Sequence, residues 1–164
     1  MSFKEAFKKL KDSAEFKNFR KKNKKSFLFS AFFVLGPEFV PETQQFDYYL
    51  DEKSAATFMI KENVEIKIDE FHPVSKITPL DEKIKIDVGK LQGIIKKELE
   101  KAFPQGFETS KTIAILQKIS DVQMWNITCL SSSLRILRMR VDCFSGKVLE
   151  SAEARISDYI QMKK

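Results

Sequence analysis

Two stretches within residues 124–149 alternate between apolar and polar side chains, and this pattern limits the fold more than any other part of the sequence. Trp125, Ile127 and Cys129 occupy alternate positions, with Asn126 and Thr128 between them. A period of two is typical of a β-strand with one buried face. The segment therefore predicts a strand whose apolar side, led by Trp125, is directed into a core.

A second strand follows a short run of serines at residues 131–133, which predicts a polar turn. One face of this second strand carries apolar side chains and the other face carries charged ones, including Arg138 and Arg140. Beyond it, Asp142 can accept backbone N–H groups in a turn, and Gly146 can adopt a positive φ without steric cost. We therefore interpret Trp125, Asp142 and Gly146 as structural residues of a β-hairpin and its closing turn.

The hairpin resembles the PepSY domain, in which a tryptophan-containing strand precedes a second strand and a V-D-x-x-[ST]-G-K-V-L turn. The matching residues are Trp125, Val141, Asp142, Ser145, Gly146, Lys147, Val148 and Leu149. With the preceding helix, the resemblance covers roughly residues 85–149. It implies a small α+β unit in which an antiparallel sheet packs on a helix. It also implies a role beside a peptidase, as an inhibitory or propeptide module, and frequently a location outside the cytoplasm.

The first part of the chain predicts a helix and several strands. Ser2 and Glu5 form a capping box, and a helix is predicted to about Arg20. Phe16 and Phe19 lie opposite its apolar stripe, so the helix either bends near Ser13 or meets a second surface there. Residues 26–35 predict a buried strand, residues 37–43 a loop, residues 46–50 a second strand, and residues 56–68 one long strand or two. The loop at residues 71–80 is the best internal boundary.

The second part of the chain repeats this order of elements. Asp87 can cap a helix that ends near Ala102. Residues 111–119 predict a strand, although Ile113, Leu116 and Ile119 also fit a helical period, and the hairpin follows. Residues 150–162 predict an amphipathic C-terminal helix. Phe46 aligns with Trp125 at an offset of about 80 residues, which predicts two α-β-β-β repeats. We expect an α+β, cystatin-like or PepSY-like fold, with halves at residues 1–70 and 81–164 packed as one unit.

Composition argues against catalytic and metal chemistry. The chain of 164 residues has a single histidine, His72, and two cysteines that the hairpin register places too far apart to bridge. The sequence has no phosphate-binding glycine motif, no nucleophile elbow and no cluster with zinc-ligand spacing. We therefore expect no enzyme activity, no cofactor and no metal site.

A basic tract at residues 17–25 precedes a short apolar run, an arrangement that imitates a secretion signal. The run is too short to span a bilayer and ends at Gly36 and Pro37 without a cleavage pattern. We therefore predict no signal peptide, no membrane span and a cytoplasmic protein. Basic residues interleaved with phenylalanine also suggest nucleic-acid binding as an alternative function, through Lys21, Lys22, Lys24 and Lys25.

The preferred function is non-catalytic binding of a protein or peptide through a sheet surface, with a homodimer through that surface as a variant. Tyr48 and Tyr49 lie on opposite faces of one strand, so one aromatic ring should lie outside the core. Arginine can bind carboxylates through two hydrogen bonds, which suits an acidic partner. The predicted contact residues are Tyr49, Thr57, Met59, Arg138 and Arg140.

Overall fold

Segments of alternating apolar residues become strands of one antiparallel sheet in the computed structural model, which describes residues 2–73 and 76–155. Eight strands lie within this part of the chain: β1 Phe27–Leu35, β2 Pro41–Asp51, β3 Ser54–Ile60, β4 Val64–Glu70, β5 Thr109–Ile119, β6 Val122–Ser131, β7 Arg135–Asp142 and β8 Val148–Arg155. Their order across the sheet is β4-β3-β2-β1-β5-β6-β7-β8. Each half of the chain is thus a four-stranded meander, and the pairing of β1 with β5 joins the halves.

Three α-helices in the described residues pack on one face of this sheet: α1 Phe3–Asp12, α2 Ala14–Lys22 and α3 Val88–Ala102. The predicted bend at Ser13 is a complete break, because the Ser13 hydroxyl caps α2 by accepting a hydrogen bond from Phe16 N at 3.2 Å. The break turns Phe16 and Phe19, which lie off the apolar stripe of α1, onto the same sheet face. Both rings pack against Tyr48 and Phe58.

One row of directly paired residues crosses all eight strands on the helix-covered face. In sheet order the row is Ile66, Phe58, Phe46, Ala31, Leu116, Trp125, Val141 and Val148. The pair Ala31–Leu116 lies at its centre, and Phe46 and Trp125 are its two flanking neighbours. The two halves therefore have the same strand order and place these aromatic rings at matching positions. A common origin for the halves, and the division at residues 1–70 and 81–164, remain predictions.

Trp125 is fully buried, as predicted, and it contacts both halves of the chain. Its indole N–H donates a hydrogen bond to the carbonyl of Ile86 at 2.7 Å, just before α3. Its ring centroid lies 6.4 Å from that of Phe3 on α1 and 5.9 Å from that of Phe33 on β1. Trp125 therefore connects the start of α1 and the segment just before α3 with the middle of the sheet.

Asp87 caps two helices at once. Its Oδ1 accepts hydrogen bonds from Val88 N at 2.6 Å and from Phe3 N at 2.8 Å, and its Oδ2 accepts one from Lys4 N at 3.1 Å. The first N–H groups of a helix have no partner within the helix, and the positive end of the helix dipole favours a carboxylate there. The N-termini of α1 and α3 therefore meet at one negative charge.

The turn after β7 has the predicted geometry. Asp142 Oδ1 accepts hydrogen bonds from Phe144 N at 2.8 Å and Ser145 N at 2.9 Å, and these bonds lower the pKa of the Asp142 carboxyl. Gly146 has a φ of 79°, and a Cβ at this position would lie 3.1 Å from Ile86 Cδ1. Asp142 and Gly146 therefore both lie in this turn, and their structural role there stays a prediction.

The expectation of an α+β fold of cystatin-like type was wrong. Eight strands and three α-helices in the described residues make a β-rich fold, and each half has four strands instead of three. The predicted strand at residues 56–68 is two strands, and the loop at residues 37–43 ends early because β2 begins at Pro41.

The predicted C-terminal helix was also wrong where it can be checked. Val148–Arg155 is the edge strand β8, held by pairing with β7, and residues 156–162 lie outside the described part of the chain. Alanine and glutamate in this segment favour a helix, but the long-range ladder to β7 supplies backbone hydrogen bonds that local propensity does not predict.

Candidate binding surface

The face of the sheet opposite the helices, here called the open face, is half-exposed along most of its length, and no helix in the described residues covers it. A second row of paired residues crosses all eight strands on this face. In sheet order it is Glu65, Met59, Gln45, Phe32, Ile115, Asn126, Arg140 and Glu150. The row is apolar at its centre, has a polar residue on each side of that centre, and ends in charged residues at both edges, with Met59 as an apolar residue on the β3 strand.

Aromatic residues gather near one end of the open face, where β1 begins and β2 ends. Phe27 stacks on Tyr49 with a centroid distance of 5.1 Å, and Phe29 contacts Phe71 at the same distance. Tyr49 also meets Phe29 and Phe71 at 6.5 Å each. We call these four half-buried residues the aromatic cluster. Tyr49 was predicted as a contact residue, and its neighbour Tyr48 is buried on the helix-covered face.

A carboxyl group lies beside this cluster on the open face. Asp47 Oδ1 accepts hydrogen bonds from Thr57 Oγ1 at 2.9 Å and Gln45 Nε2 at 3.1 Å. Burial raises the pKa of the Asp47 carboxyl, while side-chain hydrogen bonds from Thr57, Gln45 and Ser30 oppose the rise. Thr57 thus holds the Asp47 carboxyl in place on this surface. Met59, two residues further along β3, lies opposite Gln45.

Two arginines define the other end of the open face. Arg138 is exposed, and Arg140 lies 3.6 Å from Glu150 across the β7–β8 ladder. A shallow cavity of about 240 Å³ lies beside them, and its lining includes Ile115, Asn126 and Thr128. Guanidinium groups above amide and hydroxyl side chains can bind a carboxylate with good geometry.

The five predicted contact residues share one face but do not form one compact site. Thr57 on β3 and Arg140 on β7 are separated by five strand steps, which is about 24 Å at the usual spacing between strands. A small molecule cannot touch both ends of such a surface. The residues at its centre were not among the predicted contact residues: Phe32, Ile115 and Asn126. Their alternation with buried neighbours was visible in the sequence, but the β1–β5 pairing that unites them was not.

The structure separates the lysines of the basic tract from the phenylalanines with which the nucleic-acid hypothesis combines them. The four lysines are exposed at the end of α2 and in the turn that follows: Lys21, Lys22, Lys24 and Lys25. Phe16 and Phe19, the aromatic residues on the same helix, are buried in the core. They are therefore not available for stacking on bases, and the half-buried Phe27 is the aromatic residue near these lysines that could contact one.

Reactive side chains do not converge in the described residues. His72 is 80% exposed and lies 3.8 Å from Glu70, and no group of three or more histidine, cysteine, aspartate or glutamate side chains in this part of the chain is placed to hold a metal ion. Cys129 and Cys143 are buried and unbridged. Burial raises the pKa of each thiol to about 11, so neither is an activated nucleophile at neutral pH.

Comparison with known proteins supports the fold alone. No protein-family model matches the chain, and no curated protein matches it. A solved structure of a candidate lipoprotein from Clostridium difficile 630 superposes with a TM-score of 0.58. The alignment has 17% sequence identity and covers 85% of this chain and 90% of the other. Within the described residues, no helix is long and apolar enough to cross a bilayer.

Proposed function

We propose that this protein binds a protein or peptide partner on the open face and does so without catalysis. The observation that carries the proposal is the composition of that face, which has half-exposed aromatic rings at one end and two arginines at the other. Contiguous apolar surface rimmed by polar groups is characteristic of interaction sites. Aromatic residues and arginine are also the types most enriched at protein interfaces.

The chemistry of the two ends suggests what the partner carries. Arg138 and Arg140 suit acidic side chains, and the aromatic cluster suits apolar ones. Tyr49 on β2 and Arg140 on β7 are four strand steps apart, about 19 Å at the usual spacing between strands, which favours an extended segment or a folded surface over a small ligand. If the PepSY resemblance holds, the partner class is a peptidase or a cell-envelope protein.

A peptide library screened under controlled salt provides the test. Peptides that combine apolar and acidic residues should bind the wild-type protein better than neutral or basic ones. The double variant Arg138→Glu with Arg140→Glu should weaken that binding about tenfold or more, because a hydrogen bond to a charged group contributes about 1.5–3 kcal/mol. The double variant Lys90→Glu with Lys97→Glu, which changes two exposed charges on α3 at the helix-covered face, is the matched control.

Equal loss of affinity in the control and in the arginine variant would contradict the proposal, since a net-charge effect would explain both. Single-stranded nucleic acid should be titrated in parallel. Tight and salt-sensitive binding that disappears when Lys21, Lys22, Lys24 and Lys25 are neutralised would favour nucleic-acid binding instead.

The cellular compartment is a separate part of the proposal. The C. difficile neighbour is described as a candidate lipoprotein, and this description together with the PepSY resemblance supports a location outside the cytoplasm. The sequence-based expectation of a cytoplasmic protein depends on the lack of a recognisable signal peptide, with the two unbridged thiols as weaker support. Fractionation of the natural host cell, with antibody detection of the full-length protein, distinguishes the two locations.

A further inference from the structure

The strand β4 is an edge that the described part of the chain leaves unpaired. It pairs with β3 over its full length, and the register contains no bulge. The opposite edge differs, because the β7–β8 ladder shifts register between Arg140 and Val141. Bulges protect edge strands from pairing with other chains, and a regular edge lacks that protection.

The side chains of β4 add an apolar stripe to this open backbone. Ile66 and Ile68 are 41% and 57% exposed on the helix-covered face. On the open face the charges alternate in sign along the strand, at Glu65, Lys67 and Asp69. Exposed isoleucines at adjacent positions on one face of an edge strand cost free energy unless another surface covers them.

We propose that a second copy of this chain pairs with β4, antiparallel and related by a two-fold axis perpendicular to the sheet. Such an axis keeps each face of the sheet continuous, and the same strand then serves both copies. Centring the axis on Ile66 places the two Ile66 side chains opposite each other and sets Val64 opposite Ile68 of the second copy. The same register sets Glu65 opposite Lys67 of the second copy twice, with opposite charges in each pair.

The neighbouring registers are less favourable, because of the side chains that they place opposite each other. An axis at Lys67 would set the two Lys67 side chains opposite each other and Glu65 opposite Asp69, and like charges directly across a ladder are destabilising. An axis at Ile68 would set Ile66 opposite Glu70. Glu65 and Lys67 also make exposed ion pairs within their own chain, with Lys61 at 3.1 Å and Asp69 at 3.6 Å. Exposed ion pairs contribute little to stability, so exchanging these for ion pairs between the two copies costs little free energy.

The interface formed by one seven-residue strand is smaller than the roughly 800 Å² per partner of standard stable complexes, so the dimer should depend on concentration. Sedimentation velocity over a series of protein concentrations should show reversible dimerisation of the wild-type chain. Ile66→Lys should raise the dissociation constant at least tenfold. Leu149→Lys, at an exposed residue of the β8 edge, is the matched control and should leave it unchanged.

A charge exchange tests the register itself. Glu65→Lys and Lys67→Glu should each weaken the dimer, because each sets like charges opposite one another twice. The double variant with both substitutions should restore the wild-type dissociation constant. A wild-type chain that stays monomeric into the millimolar range would overturn the proposal, and so would a dimer unaffected by Ile66→Lys. Failure of the double exchange to restore association would overturn the register centred on Ile66.

Discussion

Replacing Asp87 should destabilise the protein more than replacing an ordinary helix cap, because this one carboxylate serves two helices. Asp87→Ala removes three hydrogen bonds, to Phe3 N, Lys4 N and Val88 N, and the charge at two helix N-termini. Loss of a single cap costs about 1 kcal/mol, and a charge at a helix terminus contributes about 0.3–1 kcal/mol. For two helices we expect a loss of about 2–3 kcal/mol in the free energy of unfolding.

Urea unfolding followed by tryptophan fluorescence measures this loss well, because Trp125 is the single tryptophan and is fully buried. Thermal unfolding should shift down by roughly 5–10 °C. Asp87→Asn retains one acceptor oxygen and should cost about half as much. The comparator is Ser2→Ala, which removes the cap of α1 alone, namely the hydrogen bond that Ser2 Oγ accepts from Glu5 N and the exposed one that it donates to Glu5 Oε1, and should cost about 1 kcal/mol. An Asp87→Ala loss no larger than that of Ser2→Ala would refute the shared cap.

Three further perturbations test the core, the open face and the closing turn. Trp125→Ala should cost about 3–5 kcal/mol in urea unfolding followed by circular dichroism, and a loss below about 1 kcal/mol would contradict its role in the core. Asp47→Asn should make the protein relatively more stable as pH rises above the carboxyl's ordinary pKa of 3.8, since the raised folded pKa means that deprotonation disfavours the wild-type fold. The stability difference between the two proteins should therefore grow with pH until Asp47 is fully ionised, and a constant difference would refute this. Gly146→Ala should cost about 1–2 kcal/mol because alanine is strained at a φ of 79°, and an unchanged midpoint would count against that strain.

Local patterns in the sequence predicted most individual elements of this fold. The capping box at Ser2, the cap at Asp87 and the alternation around Trp125 each correspond to an observed element, because each depends on residues close together in the chain. The prediction of a helix in the segment that forms β8 was wrong. The conformation of β8 depends on pairing with β7, whereas its alanine and glutamate residues locally favour a helix. Long-range hydrogen bonding outweighed local propensity there.

The candidate surface was predictable only in part, for a related reason. Parity along a strand shows which residues share a face, and it correctly separated Tyr49 from Tyr48. Parity does not show which strands are neighbours. The pairing of Phe32 with Ile115 joins residues more than 80 positions apart, so the apolar centre of the open face was invisible in the sequence. The second function of Asp87, at the start of α1, was hidden for the same reason.

The two halves of the sheet carry similar side chains on the helix-covered face and different ones on the open face. Phe46 and Trp125 both lie in the core, but the next residue along each strand is directed onto the open face and differs, Asp47 in one half and Asn126 in the other. Asp47 pairs with Thr57, whereas Asn126 pairs with Arg140. A symmetric scaffold therefore presents an asymmetric surface, which would bind a partner in one direction only. Contacts at the arginine end should weaken as salt rises, while those at the aromatic cluster should persist, so the partner's affinity should fall to a plateau and not to zero.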